Sequence, residues 1–295
     1  MAGKGISIFG DSISTLKGYN PQGWRGFYET EAHVEGITTY EDTWWGQLIE
    51  RLGGHLVSNA SFSGAVMEGY GFPAGNSDQR IERLVGEDGE LPEIVIIFMG
   101  INDYGWGGGR NQVMGRSLSA SAKPEDLEGP KEVAGVVGPE ALERFEAAYA
   151  QTINKIKALV PGVEVWCVNL MPGTVPGADW PNFIYSIRGI EFDEYNKAIA
   201  RATQATGARL LDLRAFGISY DAIDGVHPTA KGMRQTSAMI TACLEGVEPV
   251  AANIPEIADA PQAVRGCFEH DCDGCEYADI QPQRWSLYCT KFDPK

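Results

Sequence analysis

Short apolar runs recur along the first 245 residues and are separated by longer amphipathic or irregular stretches. The run over residues 93–99 is apolar from its second position onward, which is typical of a parallel strand buried on both faces. Similar runs predict four further strands, at residues 5–9, 55–59, 163–170 and 209–213. The pattern therefore predicts five short strands spread along most of the chain.

Apolar residues at helical spacing fill much of the sequence between these strands. They predict helices over residues 44–52, 139–159 and 192–206, a short helix capped by Asp78, and a last helix that ends near residue 244. Strands that alternate with helices are typical of a three-layer α/β fold with a parallel sheet. We expect a five-stranded parallel sheet of this kind to form one domain over residues 1–245.

The charge balance of the chain argues against two classes of binding partner. The chain holds 24 Lys and Arg against 40 Asp and Glu, for a net charge of −16, and has no basic cluster. Nucleic acids and anionic membranes both bind clustered Lys and Arg, so we expect neither as a partner. No apolar stretch approaches the roughly 20 residues that span a bilayer. The first strand begins too early for a signal peptide, so we expect a cytoplasmic protein, or a secreted one if a leader was removed.

Polar residues and glycines follow the predicted strands at the points where the strands end. Ser12 follows the first strand, Gly64 the second and Asn102 the third, while Asp224 and His227 come after the fifth. The carboxyl ends of parallel strands lie at one edge of a sheet, where open α/β folds bind their ligands. We therefore expect these five residues to meet in one crevice.

Their residue types suit nucleophilic catalysis. A serine hydroxyl is a weak nucleophile until a base takes its proton, and His227 is the candidate base for Ser12. Asp224 precedes the histidine by three residues and can hold its tautomer. The backbone N–H groups of Ser12 and Gly64 and the side-chain amide of Asn102 are candidate oxyanion donors. Each piece taken alone is more typical of an ordinary turn, and it is their joint order at strand ends that favours catalysis.

Four blocks of this sequence resemble the motifs of the SGNH (GDSL-type) hydrolases. Residues 10–13, Gly-Asp-Ser-Ile, match the nucleophile block, with isoleucine where many members have leucine. Residues 100–103, Gly-Ile-Asn-Asp, match the G-x-N-D block, and residues 224–227, Asp-Gly-Val-His, match the D-x-x-H block. Residues 59–64 match the glycine block most loosely, because the lead-in to Gly64 is not the commonest one. The blocks span about four-fifths of the chain.

The resemblance implies a flavodoxin-like sheet and ester hydrolysis without a metal or organic cofactor. It implies Ser12 as nucleophile, His227 as base and Asp224 as the residue that orients the base. The family includes lipases, thioesterases, carbohydrate deacetylases and arylesterases, so the resemblance leaves the substrate open. The alternatives are a non-catalytic binding protein on the same fold and an acyltransferase that uses an acceptor other than water.

Two sequence features bear on the substrate. No long apolar lid helix is predicted, so we expect a small acyl group, such as acetyl on a carbohydrate, and a small-molecule or carbohydrate ester as the partner. Five tryptophans fall in or beside segments at the edge of the predicted site, and aromatic faces suit sugars or aryl groups. Packing within the core is an equally supported role for these five, which are Trp24, Trp44, Trp45, Trp106 and Trp180.

The last part of the chain carries a separate signal. Residues 246–262 are rich in proline and alanine and predict a linker, and residues 263–295 contain four of the six cysteines. A tail of this size buries too little apolar surface to fold unaided, and C-x₂-C spacing suits a structural zinc ion. The expected ligands are Cys267, Cys272, Cys275 and Cys289, with His270 as an alternate. Two disulfides and unlinked thiols are the alternatives.

Overall fold

The computed structural model describes the greater part of the chain. The residues described are 3–24, 26–29, 36–69, 71–106, 139–177, 183, 186–187, 190–263, 278–281 and 286–289. For a few of these only the backbone is described, namely 105–106, 139, 186–187, 278–281 and 286–289.

Five parallel strands form the central sheet. They are β1 (Gly5–Gly10), β2 (His55–Asn59), β3 (Ile94–Phe98), β4 (Glu164–Val168) and β5 (Arg209–Leu211). Their spatial order is β2-β1-β3-β4-β5, and every neighbouring pair runs parallel. This is the 2-1-3-4-5 order of flavodoxin-like sheets, so the predicted fold class is confirmed. The order changes direction between β1 and β3, and an open α/β sheet has its crevice at such a point.

In the part of the chain that the structure describes, six α-helices accompany the sheet. They are α1 (Trp44–Arg51), α2 (Asp78–Ile81), α3 (Ile101–Trp106), α4 (Pro139–Leu159), α5 (Phe192–Thr206) and α6 (Ala230–Glu245). Helix α4 packs against α5, and α1 packs against α6. All five residues of β3 are buried, as their continuous apolar pattern predicts for a central strand covered on both faces.

Capping residues fix several helix boundaries. The Thr43 side chain accepts a hydrogen bond from the Gly46 N–H at the start of α1, and Gly207 ends α5 in the left-handed region with φ of 64°. The prediction that Asp78 caps α2 is wrong. The Ser77 side chain accepts from the Arg80 N–H and provides the cap, so Asp78 is the first residue of the helix.

Strand β5 ends two residues earlier than its apolar pattern predicts. The Asp212 side chain accepts a hydrogen bond from the Ala215 N–H and caps a 3₁₀ helix, Leu213–Phe216. A side chain that satisfies the backbone of the next turn ends the strand even though Leu213 is buried.

The segment predicted as a linker packs against the rest of the domain. Ile254 and Ile257 are buried in the main apolar cluster. The Ser219 N–H donates to the Pro261 carbonyl, and the Ala263 N–H donates to the Gly217 carbonyl, both at 2.9 Å. The division of the chain into domain, linker and tail stays a prediction.

In the tail the structure describes an antiparallel hairpin of β6 (Ala278–Gln281) and β7 (Ser286–Cys289). Of the expected ligands, Cys267, His270, Cys272 and Cys275 lie outside the described residues, and the side chain of Cys289 is not described. Zinc and disulfides therefore stay predictions. The two other cysteines are free thiols, with Cys167 buried and Cys243 half-buried. No helix within the described ranges has the length and apolar character needed to cross a bilayer.

Candidate active site

Ser12 lies directly beyond the carboxyl end of β1. The Asp11 carboxylate accepts a hydrogen bond from the Ile13 N–H at 3.1 Å, which caps a one-turn 3₁₀ helix, Ser12–Ser14. The tight turn needs glycine before it, because a Cβ at Gly10 would lie 2.5 Å from the Cβ of Ser14. Ser12 is 4% exposed, so little of its side chain is open to solvent.

A chain of two hydrogen bonds connects Ser12 to Asp224 through the His227 ring. His227 Nε2 lies 2.8 Å from Ser12 Oγ, although 215 residues separate them in sequence. On the other side of the ring, Nδ1 lies 2.7 Å from Asp224 Oδ2. The structure thus brings the three predicted residues together in the order that lets the ring accept the serine proton while the carboxylate holds its other N–H.

Asp224 also shapes the turn that carries His227. Its Oδ1 accepts the N–H groups of Val226 at 3.0 Å and His227 at 2.9 Å, while Gly225 adopts φ of 88°. Burial alone would raise the pKa of Asp224, but attraction to His227 and these hydrogen bonds outweigh it, so the pKa lies below its ordinary value. The carboxylate therefore stays ionised at neutral pH and holds the ring.

Phe27 covers one face of the His227 ring. The two ring centroids are 3.5 Å apart and the planes are 3° from parallel. The Phe27 N–H donates to Thr15 Oγ1 at 2.8 Å, and that hydroxyl donates to the Ser12 carbonyl at 2.9 Å. The phenyl ring, the imidazole and the serine backbone are therefore fastened to one another.

The two other predicted oxyanion residues follow β2 and β3, with Gly64 in a loop and Asn102 in the first turn of α3. Gly64 follows β2 and adopts φ of 79°, a conformation that favours glycine. Asn102 is buried in α3, and its side-chain amide donates to the Ala65 carbonyl at 3.0 Å. The amide of Asn102 thus holds the loop of Gly64 in place, and the oxyanion role of both residues stays a prediction.

Asp103, the next residue of α3, also bonds to the loop that contains Gly64. Both oxygens of its buried carboxylate accept the Met67 N–H, at 3.0 and 2.9 Å. Burial raises the pKa of Asp103 well above its ordinary value, against the lowering effect of these N–H groups. Two consecutive side chains, Asn102 and Asp103, therefore tie the end of β3 to the loop that follows β2.

Arg80 is a fully buried cation behind the nucleophile turn. Its Nη2 donates to the carbonyls of Gly10 at 2.7 Å and Ala60 at 2.8 Å, and Nη1 donates to Pro73 at 3.0 Å. Burial lowers the pKa of Arg80 to about 9, so it stays charged at neutral pH. Burial likewise raises the pKa of Asp11 to about 6, against the opposing pull of the Ile13 N–H, His227 and Arg80.

A known protein family matches most of this chain. The sequence pattern of the GDSL-like lipase/acylhydrolase family matches residues 8–235, well over half of the chain. The chain belongs to this family. No protein with a curated description matches it.

Solved structures share the fold of this family member. Two, described as GDSL-like lipases from Bacteroides ovatus and Bacteroides uniformis, superpose with a TM-score of 0.52 at 22% identity. They cover 83% and 84% of this chain, and 100% and 97% of their own. A Lactobacillus plantarum protein superposes with a TM-score of 0.52 at 18% identity, over 83% of this chain and 98% of its own. At identities this low, these superpositions show a shared fold alone.

Two residues that contact the site are absent from the sequence prediction. Phe27 lies in an irregular stretch without periodicity, so no signal singles it out. Arg80 has a weak signal, because it precedes the buried Leu84 by four residues and helical spacing places the two on one face. The tryptophans at 44 and 45 are fully buried and pack in the core.

Replacing Arg80 tests its bracing role. We expect Arg80→Met to lower the free energy of unfolding by about 3 kcal/mol, because three buried carbonyls lose charge-assisted hydrogen bonds. The exposed neighbour provides a matched control, and Arg83→Met should stay within about 0.5 kcal/mol of the wild type. Urea denaturation measures both values. A loss below about 1 kcal/mol for Arg80→Met would contradict the bracing role.

The raised pKa of Asp11 predicts a pH-dependent stability. The folded state keeps the Asp11 proton up to about pH 6, whereas the unfolded chain releases it near pH 4, so ionisation costs stability as the pH rises between them. Asn at position 11 still accepts from Ile13 but does not ionise. The stability of Asp11→Asn relative to the wild type should therefore rise by about 2 kcal/mol from pH 4 to pH 7. A difference that stays constant over this range in denaturation curves would refute the shift.

Proposed function

We propose that this family member is a serine esterase that works through an acyl-enzyme intermediate. The single observation that carries the proposal is the continuous hydrogen-bond chain from Asp224 through His227 to Ser12, with links of 2.7 and 2.8 Å. A serine with a base at hydrogen-bond distance, and a base with an ionised orienting partner, is the arrangement that activates a hydroxyl for attack on a carbonyl.

In the proposed reaction His227 Nε2 accepts the Ser12 proton as Oγ attacks the ester carbonyl carbon. The resulting imidazolium then gives this proton to the departing alcohol oxygen as the ester C–O bond breaks, which leaves the acyl group on Ser12. A water molecule repeats the sequence, with His227 as base and then acid, and releases the carboxylic acid. The proposed cycle needs neither a metal nor an organic cofactor.

The tetrahedral intermediate carries a negative oxygen, and we assign its stabilisation to three N–H donors. They are the backbone N–H groups of Ser12 and Gly64 and the side-chain amide of Asn102. The anchoring of Asn102 to Ala65 supports this assignment, because it joins Asn102 to the loop of Gly64, and the Phe62 N–H of that loop donates to the Gly10 carbonyl before the nucleophile turn.

We further propose a small acyl group, such as acetyl, on a carbohydrate alcohol. Ser12 is 4% exposed and His227 is 3% exposed, so a slender acyl group reaches them with the least rearrangement. Of the tryptophan side chains that the structure describes, Trp24 alone is half-buried rather than buried. It packs beside Phe62, two residues before Gly64, with ring centroids 5.8 Å apart, and presents an aromatic surface suited to a sugar.

Kinetics with p-nitrophenyl esters test this function. We expect turnover of the acetate, with Ser12→Ala and His227→Ala each lowering kcat by at least about 10⁴-fold and Asp224→Asn by about 10⁴-fold. His55→Ala is the control, because His55 lies exposed beside Glu90, and it should stay within about twofold. Rates that rise with acyl length beyond about eight carbons would contradict the small acyl group.

The same experiment separates the alternative functions. A folded wild-type protein without turnover would favour a binding protein on this fold. Transfer of the acyl group to an added alcohol, faster than transfer to water, would identify an acyltransferase, because both reactions share the acyl-enzyme and differ in the acceptor.

A further inference from the structure

The stack of Phe27 on His227 has an unusual geometry for two neutral rings. Its centroid separation of 3.5 Å is no larger than the contact distance between two carbon atoms, and the planes differ by only 3°. The two rings therefore overlap face to face with almost no lateral offset. Neutral aromatic pairs favour offset or edge-to-face packing, because the negative faces of two π systems repel each other.

A cation reverses this preference. A positive charge above the centre of an aromatic ring is attracted by the negative face, and the attraction grows when the pair is desolvated. Phe27 is 8% exposed and His227 is 3% exposed, so little water screens the pair. The observed stack thus suits an imidazolium better than a neutral imidazole.

Several contacts hold the phenyl ring in this place. The Phe27 backbone bonds to Thr15, which bonds to the carbonyl of Ser12. The adjacent Tyr28 ring meets Phe27 edge-on at 5.0 Å, and its hydroxyl donates to the Pro228 carbonyl at 2.8 Å, one residue after His227. The segment is therefore anchored to both the serine turn and the histidine turn.

We propose that Phe27 is a positioning residue that stabilises the protonated form of His227 through a cation–π contact. Its effect on acyl transfer rests on the proposed function, in which the ring becomes positive as Ser12 attacks. A contact that strengthens when charge develops lowers the barrier without tightening substrate binding.

Other ionisable groups also act on this ring. Asp224 faces it from its own turn, and Asp11 faces it from the end of β1. The hydroxyls of Tyr28 and Tyr220 donate to the carbonyls of Pro228 and Val226, the residues on either side of His227. All of them remain in a variant at position 27, so a comparison of variants isolates the contribution of the phenyl face.

Proton NMR titration of the histidine rings measures this contribution without any substrate, and the chain holds only four histidines. We expect the titration midpoint of His227 to fall by about 0.5 to 1 pH unit in Phe27→Leu, which keeps an apolar side chain but removes the π face. Phe27→Tyr should stay close to the wild type. Phe216→Leu is the control, because this phenylalanine is 5% exposed in a 3₁₀ helix outside the site, and it should leave the midpoint unchanged.

Kinetics supply the second readout. Phe27→Leu should lower kcat about tenfold with KM within about twofold, while Phe27→Tyr retains most of the activity. If Phe27→Leu fails to fold, pentafluorophenylalanine at position 27 keeps the ring shape, reverses the charge of its face and should lower the midpoint further. An unchanged His227 midpoint in Phe27→Leu, or in the pentafluorophenylalanine variant where Phe27→Leu does not fold, would overturn the inference. A wild type without turnover would instead refute the proposed function, while the titration would still decide the role of Phe27.

Discussion

The His227 ring is the contact on which the rest of the site depends. It bonds Ser12 on one side and Asp224 on the other, and so joins a turn at the start of the chain to one more than 200 residues later. The parallel sheet makes this contact possible, because the carboxyl ends of its strands lie along one edge. The sheet brings the two turns near each other, and Asp224 sets the final angle of the ring through its bonds to the backbone and to Nδ1.

Buried ionisable side chains hold the loops around that ring in place. The Arg80 guanidinium donates to the carbonyls of Gly10 and Ala60, so the turns after β1 and β2 share one donor. The Asp103 carboxyl accepts the Met67 N–H and so ties the end of β3 to the loop after β2. Burying a polar group is unfavourable unless it is hydrogen-bonded, which is why both side chains bond to backbone groups. The loops of the site are thus held by side chains outside the Ser12–His227–Asp224 chain.

The sequence predicts the elements whose signals are local or periodic. The apolar run of β3 and the helical spacing of α4 suffice for both. The alternation of elements predicts a parallel three-layer sheet, and the resemblance to the family implies that the sheet is flavodoxin-like. The motifs also predict that Ser12, Asp224 and His227 meet. Contacts made through tertiary packing leave little trace in sequence, which explains why Phe27 is missed. Competition between neighbouring polar groups explains the error at α2, where Ser77 rather than Asp78 provides the cap.

If the hydrogen-bond chain makes Ser12 a nucleophile, this serine should react with a fluorophosphonate. Labelling followed by peptide mass spectrometry tests this without knowledge of the natural substrate. We expect one adduct, on Ser12, that forms in the wild type, forms much more slowly in His227→Ala and is absent from Ser12→Ala. A folded wild-type protein that acquires no adduct, or an adduct that persists in Ser12→Ala, would show that Ser12 is not the nucleophile.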